Sequence, residues 1–159
     1  MKSCLTLAPI LILAAQPAQA RNVGAWNDAG SAVRTGLVIA ALGVPALKQD
    51  WRGDLQAGAS LAGAGLVTLG LKEAFPELRP DGSDRKSFPS GHTSISFAAA
   101  ASLQNRYGWQ VGVPAQLLAA FVGVSRVEAR KHHWYDVVVG AGIGEASGFL
   151  LTRTRNDRV

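Results

Sequence analysis

Cysteine is almost absent from this chain, and aromatic residues are scarce. The single cysteine, Cys4, cannot form an intramolecular disulfide or a zinc site built from several cysteines. Aromatic residues make up only 7% of the sequence. Because proteins hold single-stranded nucleic acid largely by stacking its bases on aromatic rings, we expect no nucleic-acid partner.

The sequence also lacks long uninterrupted hydrophobic runs. The mean hydropathy is only +0.14, and a run of about 15 residues forms a helix of roughly 22 Å, shorter than the ~30 Å hydrocarbon core of a bilayer. Ala/Leu-rich stretches without strand-like alternation still predict helices, at residues 32–47, 55–71, 93–103, 111–124 and 137–151. We therefore expect an all-α fold, a compact helical bundle of about five helices resting on a membrane. A bundle that spans the membrane is the alternative.

Residues 1–20, MKSCLTLAPILILAAQPAQA, have the pattern of a secretory signal peptide. Lys2 precedes an apolar run, which is followed by the small-residue cleavage pattern Ala18-Gln19-Ala20. Cleavage would leave one domain, residues 21–159, in the periplasm or elsewhere in the cell envelope. That domain would contain no cysteine, which excludes thiol catalysis. An uncleaved N-terminal anchor is the alternative interpretation.

A formal net charge of +5 indicates an anionic partner, and basic residues recur in three motifs. The first motif is KEAFPELRP. Pro76 should end a helix at about residue 75, which places Lys72 in the last helical turn and Arg79 in the loop beyond. Taken alone, Lys72 could simply complement the helix C-terminus and Arg79 could be solvated.

The second motif is PSGHTS, which has the pattern of a helix start. Ser90 offers a hydroxyl cap, and the free N–H groups of a first turn also bind anions. Gly91 would allow a ligand to approach the backbone closely, and His92 adds a titratable ring. An ordinary helix cap is the alternative.

The third motif is SRVEARKHHWYD, which contains Arg126, His132 and Asp136. His132 and Asp136 are four residues apart, so on one helix they would share a face, and the carboxylate could orient the imidazole. His133 is a rival, but its i+4 neighbour is Val137 and its i+3 relation to Asp136 is less favourable. A surface His–Asp pair beside a basic loop is the alternative.

Short connections make successive helices antiparallel, which would bring the three motifs to one end of the bundle. Lys72, Arg79 and Arg126 could there surround a tetrahedral dianion. Phosphoryl transfer depends mainly on such charge stabilisation and on positioning the nucleophile. No carboxylate cluster is expected to hold magnesium, because Asp136 would be committed to His132, while Asp81 and Asp84 lie in what should be an exposed loop.

The patterns K-x6-R-P, P-S-G-H and S-R-x5-H-x3-D, in this order between residues 72 and 136, resemble the signature of the type 2 phosphatidic acid phosphatase (PAP2) superfamily. The resemblance implies a helical bundle, no metal and no other cofactor. It also implies that His132 is a nucleophile forming a phosphohistidine, oriented by Asp136, and that His92 is the general acid and base. The residues implied to bind the phosphoryl oxygens are Lys72, Arg79, Ser90, Gly91 and Arg126. The pattern positions implied to shape the backbone are Pro80, Pro89 and Ser125.

We therefore expect an exported, metal-independent phosphomonoesterase acting on soluble or lipid-linked phosphate esters. A vanadate-dependent haloperoxidase and a non-catalytic module that binds phosphate or anionic lipid are the alternatives. The sequence leaves the substrate open. Basic residues in loops 81–88 and 127–131 could form a rim that attracts anionic head groups, or could simply be solvated; these are Arg85, Lys86, Arg130 and Lys131.

Overall fold

The computed structural model describes residues 18–155, and five α-helices account for most of them. The helices are α1 (Ala18–Leu47), α2 (Trp51–Ala74), α3 (Gly91–Tyr107), α4 (Trp109–Glu128) and α5 (Trp134–Leu151). Within this part of the chain, the only β-type pairing is an isolated bridge between Glu77 and Lys86. The predicted all-α bundle of five helices is confirmed. The predicted signal peptide lies mostly outside the described residues, as do residues 156–159, so the predicted domain bounds stay predictions.

Local sequence explains where the helices begin and end. Asp50 caps α2 by accepting a hydrogen bond from the Gly53 N–H (3.1 Å). The same helix ends at Ala74, two residues before Pro76, as the proline predicts. Gly108 has a φ of +87°, a left-handed conformation that a glycine adopts without strain. It ends α3 and begins α4, so the chain reverses there within a single residue.

The central helix of the bundle is α3, whose residues 98–101 are four fully buried alanines. Small side chains let the neighbouring helices approach closely. On α5, a Cβ at Gly144 would lie only 2.3 Å from the carbonyl oxygen of Ser94, so α5 can pack at this distance only with glycine there. The glycines that weaken the sequence-based helix prediction are therefore packing positions.

The helices are longer than the apolar runs from which they were predicted. The first helix has 30 residues, α2 has 24 and α4 has 20, which at 1.5 Å per residue gives about 30 Å or more. Two described segments, Asn22–Leu47 and Trp109–Glu128, are long and apolar enough to cross a membrane. The length argument against a spanning bundle therefore does not hold for α1, α2 and α4, because these helices continue through glycine and polar residues beyond each apolar run.

The bundle has two chemically distinct ends. The site end holds the first turns of α1 and the connections 75–90 and 129–133. The distal end holds the connections 48–50 and 108 and the segment that follows α5. At the distal end Asp50 pairs with Arg106, which joins the α1–α2 connection to the last turn of α3. The structure confirms that the three sequence motifs meet at one end.

Candidate active site

A cavity of about 320 Å³ opens at the site end. Its walls contain six residues predicted for the site, together with four others. The predicted residues are Lys72, Arg79, Gly91, His92, Arg126 and His132; the others are Asn27, Ser83, Asp84 and Lys131. Ser90 and Asp136 are fully buried and lie behind this lining. The Ser90 hydroxyl makes no cap hydrogen bond to the backbone and instead pairs with Thr93 Oγ1 (2.9 Å), so the expected hydroxyl cap is absent.

His132 lies in the connection between α4 and α5, before α5 begins. The prediction that His132 and Asp136 share a helix face is therefore wrong, although the two side chains do meet. His132 Nδ1 lies 3.5 Å from Asp136 Oδ2, and Nε2 lies 3.3 Å from Arg79 Nη1. Burial, together with the cations of Arg79 and Lys72, lowers the pKa of His132 to about 4. The imidazole is thus neutral near pH 7 and carries a nucleophilic lone pair.

Asp136 is shared among several donors and is not committed to His132 alone. Its Oδ2 accepts hydrogen bonds from Ser87 Oγ (2.5 Å) and from the backbone N–H of His133 (2.9 Å). Ser87 is itself fully buried. These donors fix the carboxylate at the first turn of α5, facing the His132 ring. Ser87 was missed at the sequence level, because its position depends on how the 75–90 loop folds back onto α5.

Distance to Asp136 does not separate His132 from His133, because His133 Nδ1 also lies 3.5 Å from Asp136 Oδ2. The environment of each ring does separate them. The His132 side chain is 3% exposed and lines the cavity, whereas that of His133 is 33% exposed and does not. His133 caps α5 and stacks on Tyr135, with ring centroids 5.0 Å apart. The choice of His132 over His133 as the candidate nucleophile is therefore supported by its position in the cavity wall and not by its sequence spacing from Asp136.

Arg126 is almost completely buried and is held by α1. Its guanidinium donates to the Asn27 backbone oxygen (2.7 Å) and to Asn27 Oδ1 (3.1 Å). A Cβ at Gly30 would lie 2.5 Å from Arg126 Nη2 and 1.9 Å from Ser125 Oγ, so glycine is needed for this approach. None of the recognised motifs includes Asn27 or Gly30, and the structure alone brings them to the site.

Arg79 and the loop after it are ordered by two ion pairs. Arg79 Nε pairs with Asp84 Oδ1 (2.7 Å), and Arg79 holds the pKa of that carboxyl below its usual range. Lys131 Nζ pairs with Asp81 Oδ2 (2.6 Å), which ties the two loops of the entrance together. Asp81 and Asp84 lie in an exposed loop, as expected, and the structure adds that both carboxylates pair with cations of the site.

The remaining polar groups of the cavity make contacts that leave cationic charge in surplus. Lys72 Nζ donates to the backbone oxygens of Lys86 (2.6 Å) and Ser87 (3.3 Å), which carry no net charge. His92 Nε2 lies 3.4 Å from Ser31 Oγ of α1. Of the predicted basic rim, only Lys131 lines this cavity. Neither Arg85 nor Lys86 contributes to the lining, and Arg130 borders a neighbouring cavity.

One group of potential metal ligands lies behind the site. Single ligand atoms of Glu77, His133 and Asp136 fall within 4.8 Å of one another, a grouping that the sequence did not reveal because Glu77 belongs to the loop. One oxygen of each carboxylate already accepts from a protein donor, whereas the buried Asp136 Oδ1 has no hydrogen-bond partner among the described residues. Asp136 Oδ2 accepts from Ser87 Oγ and the His133 N–H, and Glu77 Oε1 accepts from the Tyr135 hydroxyl. The grouping is thus a hydrogen-bond network that supports the first turn of α5.

Residues 54–159 match the profile of the PAP2 superfamily, which extends beyond the motif region on both sides. The chain belongs to this superfamily. The predicted resemblance is therefore confirmed, and it covers α2 to α5 as well as the cavity at their site end. The first helix contributes Asn27 and lies before the matched region.

Curated relatives of this PAP2 chain are named as lipid phosphatases. Over 97 residues it is 40% identical to the lipid A 1-phosphatase of Porphyromonas gingivalis, covering 58% of this chain and 21% of that protein. Over 117 residues it is 32% identical to the lipid A 4'-phosphatase of Helicobacter pylori, covering 65% of this chain and 58% of that protein. The chain thus spans less than two thirds of the length of either relative.

Two solved structures share the bundle. Aquifex aeolicus LpxE superposes with a TM-score of 0.69 at 21% identity, covering 80% of this chain and 83% of that one. A transmembrane PAP2 type phosphatidylglycerolphosphate phosphatase from Bacillus subtilis superposes with a TM-score of 0.63 at 26% identity, covering 88% of this chain and 78% of that one. These likenesses establish a common helical fold.

Proposed function

We propose that this PAP2 protein is a metal-independent phosphatase that hydrolyses phosphate esters carried by lipids, through a phosphohistidine at His132. The observation that carries the proposal is the setting of the His132 ring. Nε2 borders a cavity lined by Lys72, Arg79 and Arg126, while Nδ1 faces the buried carboxylate of Asp136. A site that only bound phosphate would need the cations but not a neutral histidine backed by a carboxylate.

In the first step, His132 Nε2 attacks the phosphorus atom, and the bond between phosphorus and the ester oxygen breaks. Lys72, Arg79 and Arg126 hold the three remaining oxygens and stabilise the charge that spreads over them. The N–H of Gly91, at the start of α3, adds a donor. Burial and the cation of Arg126 lower the pKa of His92 to about 3, so its ring is neutral in the empty site. The bound phosphate offsets that cation, so His92 takes up a proton from water together with the substrate. It gives this proton to the leaving oxygen, the alcohol departs neutral, and the phosphoryl group stays on His132.

In the second step, water replaces the alcohol. His92, now neutral, takes a proton from that water as its oxygen attacks the phosphorus, and the bond to His132 Nε2 breaks. Inorganic phosphate leaves and both histidines return to their starting states. Asp136 stabilises the positive ring of the intermediate, and Ser87 holds the carboxylate in place.

A lipid-linked substrate is favoured by the outer surface of the bundle as well as by the names of the relatives. Leucine, valine and isoleucine side chains are exposed along the helices. Trp51 and Trp109, at the distal end, are 64% and 68% exposed, and Trp134, at the site end, is 68% exposed. Tryptophans at both ends of an apolar surface are typical of a protein that spans a bilayer. We therefore propose that the bundle is embedded in an envelope membrane, with its site at the head-group level.

The direct test is to trap the intermediate. Purified protein in detergent micelles is mixed with 32P-labelled phosphatidic acid and quenched in alkali, where phosphohistidine survives. We expect label on the wild type and on His133→Ala but none on His132→Ala, whose phosphate release should fall by roughly 10³-fold or more. Label that persists on His132→Ala and is lost from His133→Ala would reverse the assignment.

Two further measurements test the metal independence and the location of the protein. EDTA should leave phosphate release unchanged, and a strong loss would indicate a metal, with Glu77, His133 and Asp136 as its first candidate ligands. Cell fractionation with N-terminal sequencing would test export and cleavage near residue 20. Activity recovered only in the cytosol would contradict the envelope location.

A further inference from the structure

A second cavity, of about 460 Å³, lies beside the phosphate site at the same end of the bundle. Its lining comes from the first turns of α1 and the end of α4, and consists of Asn22, Val23, Trp26, Val127, Glu128 and Arg130. The two cavities share a wall. In three pairs of consecutive residues, one residue lines the second cavity and its neighbour lines the phosphate site. The residues of the second cavity are Trp26, Val127 and Arg130, and their neighbours in the phosphate site are Asn27, Arg126 and Lys131. The second cavity is therefore adjacent to the position of a bound phosphate, within reach of a bulky group attached to it.

We propose that this second cavity binds the sugar ring of a phosphorylated saccharide head group, an inference that rests on the proposed phosphatase function. The lining combines one aromatic face with an amide, a carboxylate and a guanidinium. Trp26 offers an apolar face for the C–H side of a sugar ring. Asn22, Glu128 and Arg130 offer donors and acceptors for its hydroxyl groups.

These polar groups are available to a ligand. Among residues 22–155, the side chains of Asn22, Glu128 and Arg130 take part in no protein hydrogen bond or ion pair. Lys131 differs from Arg130 in this respect, since it is paired with Asp81. The lining thus holds both acceptors and donors whose hydrogen-bonding capacity the described protein does not use.

Two parts of the lining, the Trp26 ring and the backbone at Arg130, are held in place before any ligand binds. The half-buried Trp26 ring packs on Phe121, with centroids 5.9 Å apart, and its backbone oxygen accepts from Arg126 Nη2 (3.4 Å). Arg130 has a φ of +54°, a left-handed conformation that costs a non-glycine residue energy, and its N–H bonds the Val127 oxygen (2.9 Å). Pre-ordered groups lose little entropy on binding.

The composition of the cavity excludes two other occupants. A second phosphate would meet the Glu128 carboxylate with only one cation, Arg130, to offset it. An acyl chain fits better in a separate apolar groove of about 650 Å³ between α2 and α5, which is lined by residues such as Val67 and Ile143. A neutral polyhydroxyl ring is the class of group that uses all the donors and acceptors present.

The test compares a substrate that has a sugar with one that does not. Phosphate release is measured from lipid A, a phosphorylated glucosamine disaccharide, and from phosphatidic acid in the same micelles. We expect Trp26→Ala to lower kcat/KM for lipid A by about 10-fold, mainly through KM, and Glu128→Gln to lower it by about 3-fold. Both variants should keep phosphatidic acid hydrolysis within about 2-fold. Trp109→Ala, which removes an exposed tryptophan at the distal end, is the matched control and should change the hydrolysis of neither substrate.

Equal losses on both substrates in Glu128→Gln, or no loss on lipid A in either variant, would overturn the proposal. A binding experiment separates this outcome from failure of the phosphatase function. His132→Ala protein is titrated with glucosamine 1-phosphate and with glycerol 1-phosphate by calorimetry. We expect tighter binding of the sugar phosphate, lost on adding Trp26→Ala or Glu128→Gln. Equal affinities would contradict the sugar site even where no catalysis is detected.

Discussion

The two ends of the bundle use the same kinds of residue for opposite purposes. At the distal end, Asp50 receives Arg106 Nε (2.8 Å) and Nη2 (2.5 Å) and the Tyr107 hydroxyl (2.9 Å), so the charge of the arginine is matched by a buried carboxylate. At the site end, Arg126 and Lys72 donate mainly to neutral oxygens. A paired arginine stabilises the fold, whereas an uncompensated one is ready to bind an anion.

The largest expected effect on stability is at the distal end. Arg106→Met would leave the Asp50 carboxylate buried without its ion-pair partner, and we expect a loss of about 3–5 kcal/mol in the free energy of unfolding. Arg126→Met leaves no buried carboxylate behind and should cost less, about 1–2 kcal/mol. Thermal unfolding of both variants in micelles at pH 7 measures the difference. A larger loss for Arg126→Met would remove the distinction between the two ends.

The same pair has a pH signature. Hydrogen bonds from Arg106 hold the pKa of Asp50 well below its ordinary value of 3.8. A carboxyl with a depressed pKa stabilises the fold fully above that ordinary value, and the contribution is lost as the pH falls below it. Wild-type unfolding temperatures should therefore fall more steeply below pH 4 than those of Arg106→Met. Parallel curves would show that this pair does not control acid stability.

A smaller effect is expected at Ser87, the buried serine behind His132. Ser87→Ala removes the 2.5 Å hydrogen bond to Asp136 Oδ2, and we expect kcat to fall by roughly 10- to 100-fold with KM nearly unchanged. Ser102, buried nearer the distal end, donates only to the Ala98 oxygen within its own helix. Ser102→Ala is therefore the control and should keep kcat within about 2-fold. Equal losses in the two variants would indicate a general packing effect.

The smallest expected effect is a shift in a pH profile. Because Lys72 and Arg79 help to lower the pKa of His132, its neutral form persists down to about pH 4. Lys72→Met removes one cation, so the pKa of His132 should rise and the acid limb of kcat/KM should move up by about 0.5–1 pH unit. Lys48→Met, at the distal end, should leave that limb in place. A limb that does not move in Lys72→Met would contradict the electrostatic role of Lys72.

The sequence predicted which residues line the cavity better than it predicted their geometry. Proline and glycine residues correctly predicted the helix boundaries near Pro76 and Gly91. The assumption that successive helices are antiparallel correctly placed the three motifs at one end. Spacing within the third motif was misleading, because α5 begins only at Trp134 and His132 lies outside it. A spacing of four residues predicts a shared face only when both residues belong to the same helix.

Contacts between distant segments could not be predicted. The hydrogen bond between Arg126 and Asn27 joins residues 99 positions apart, and that between Ser87 and Asp136 joins residues 49 positions apart. Both depend on how helices pack and not on a local pattern. The helix lengths were also underestimated, because α1 and α2 continue through glycine and polar residues whose helical conformation is supported by packing against neighbours.

The central claim is that Arg126 and Lys72, which donate to neutral oxygens at the site end, help to form a phosphoryl site, whereas the carboxylate-paired Arg106 at the distal end does not. Calorimetric titration with vanadate, a phosphate analogue, tests this claim most directly. The account predicts one vanadate site per chain in the wild type. The affinity for vanadate should fall by about 10-fold or more in Arg126→Met and stay within about 2-fold of wild type in Arg106→Met. All titrations are made at a temperature where both variants are folded. Unchanged affinity in Arg126→Met, or an equal loss in Arg106→Met, would contradict it.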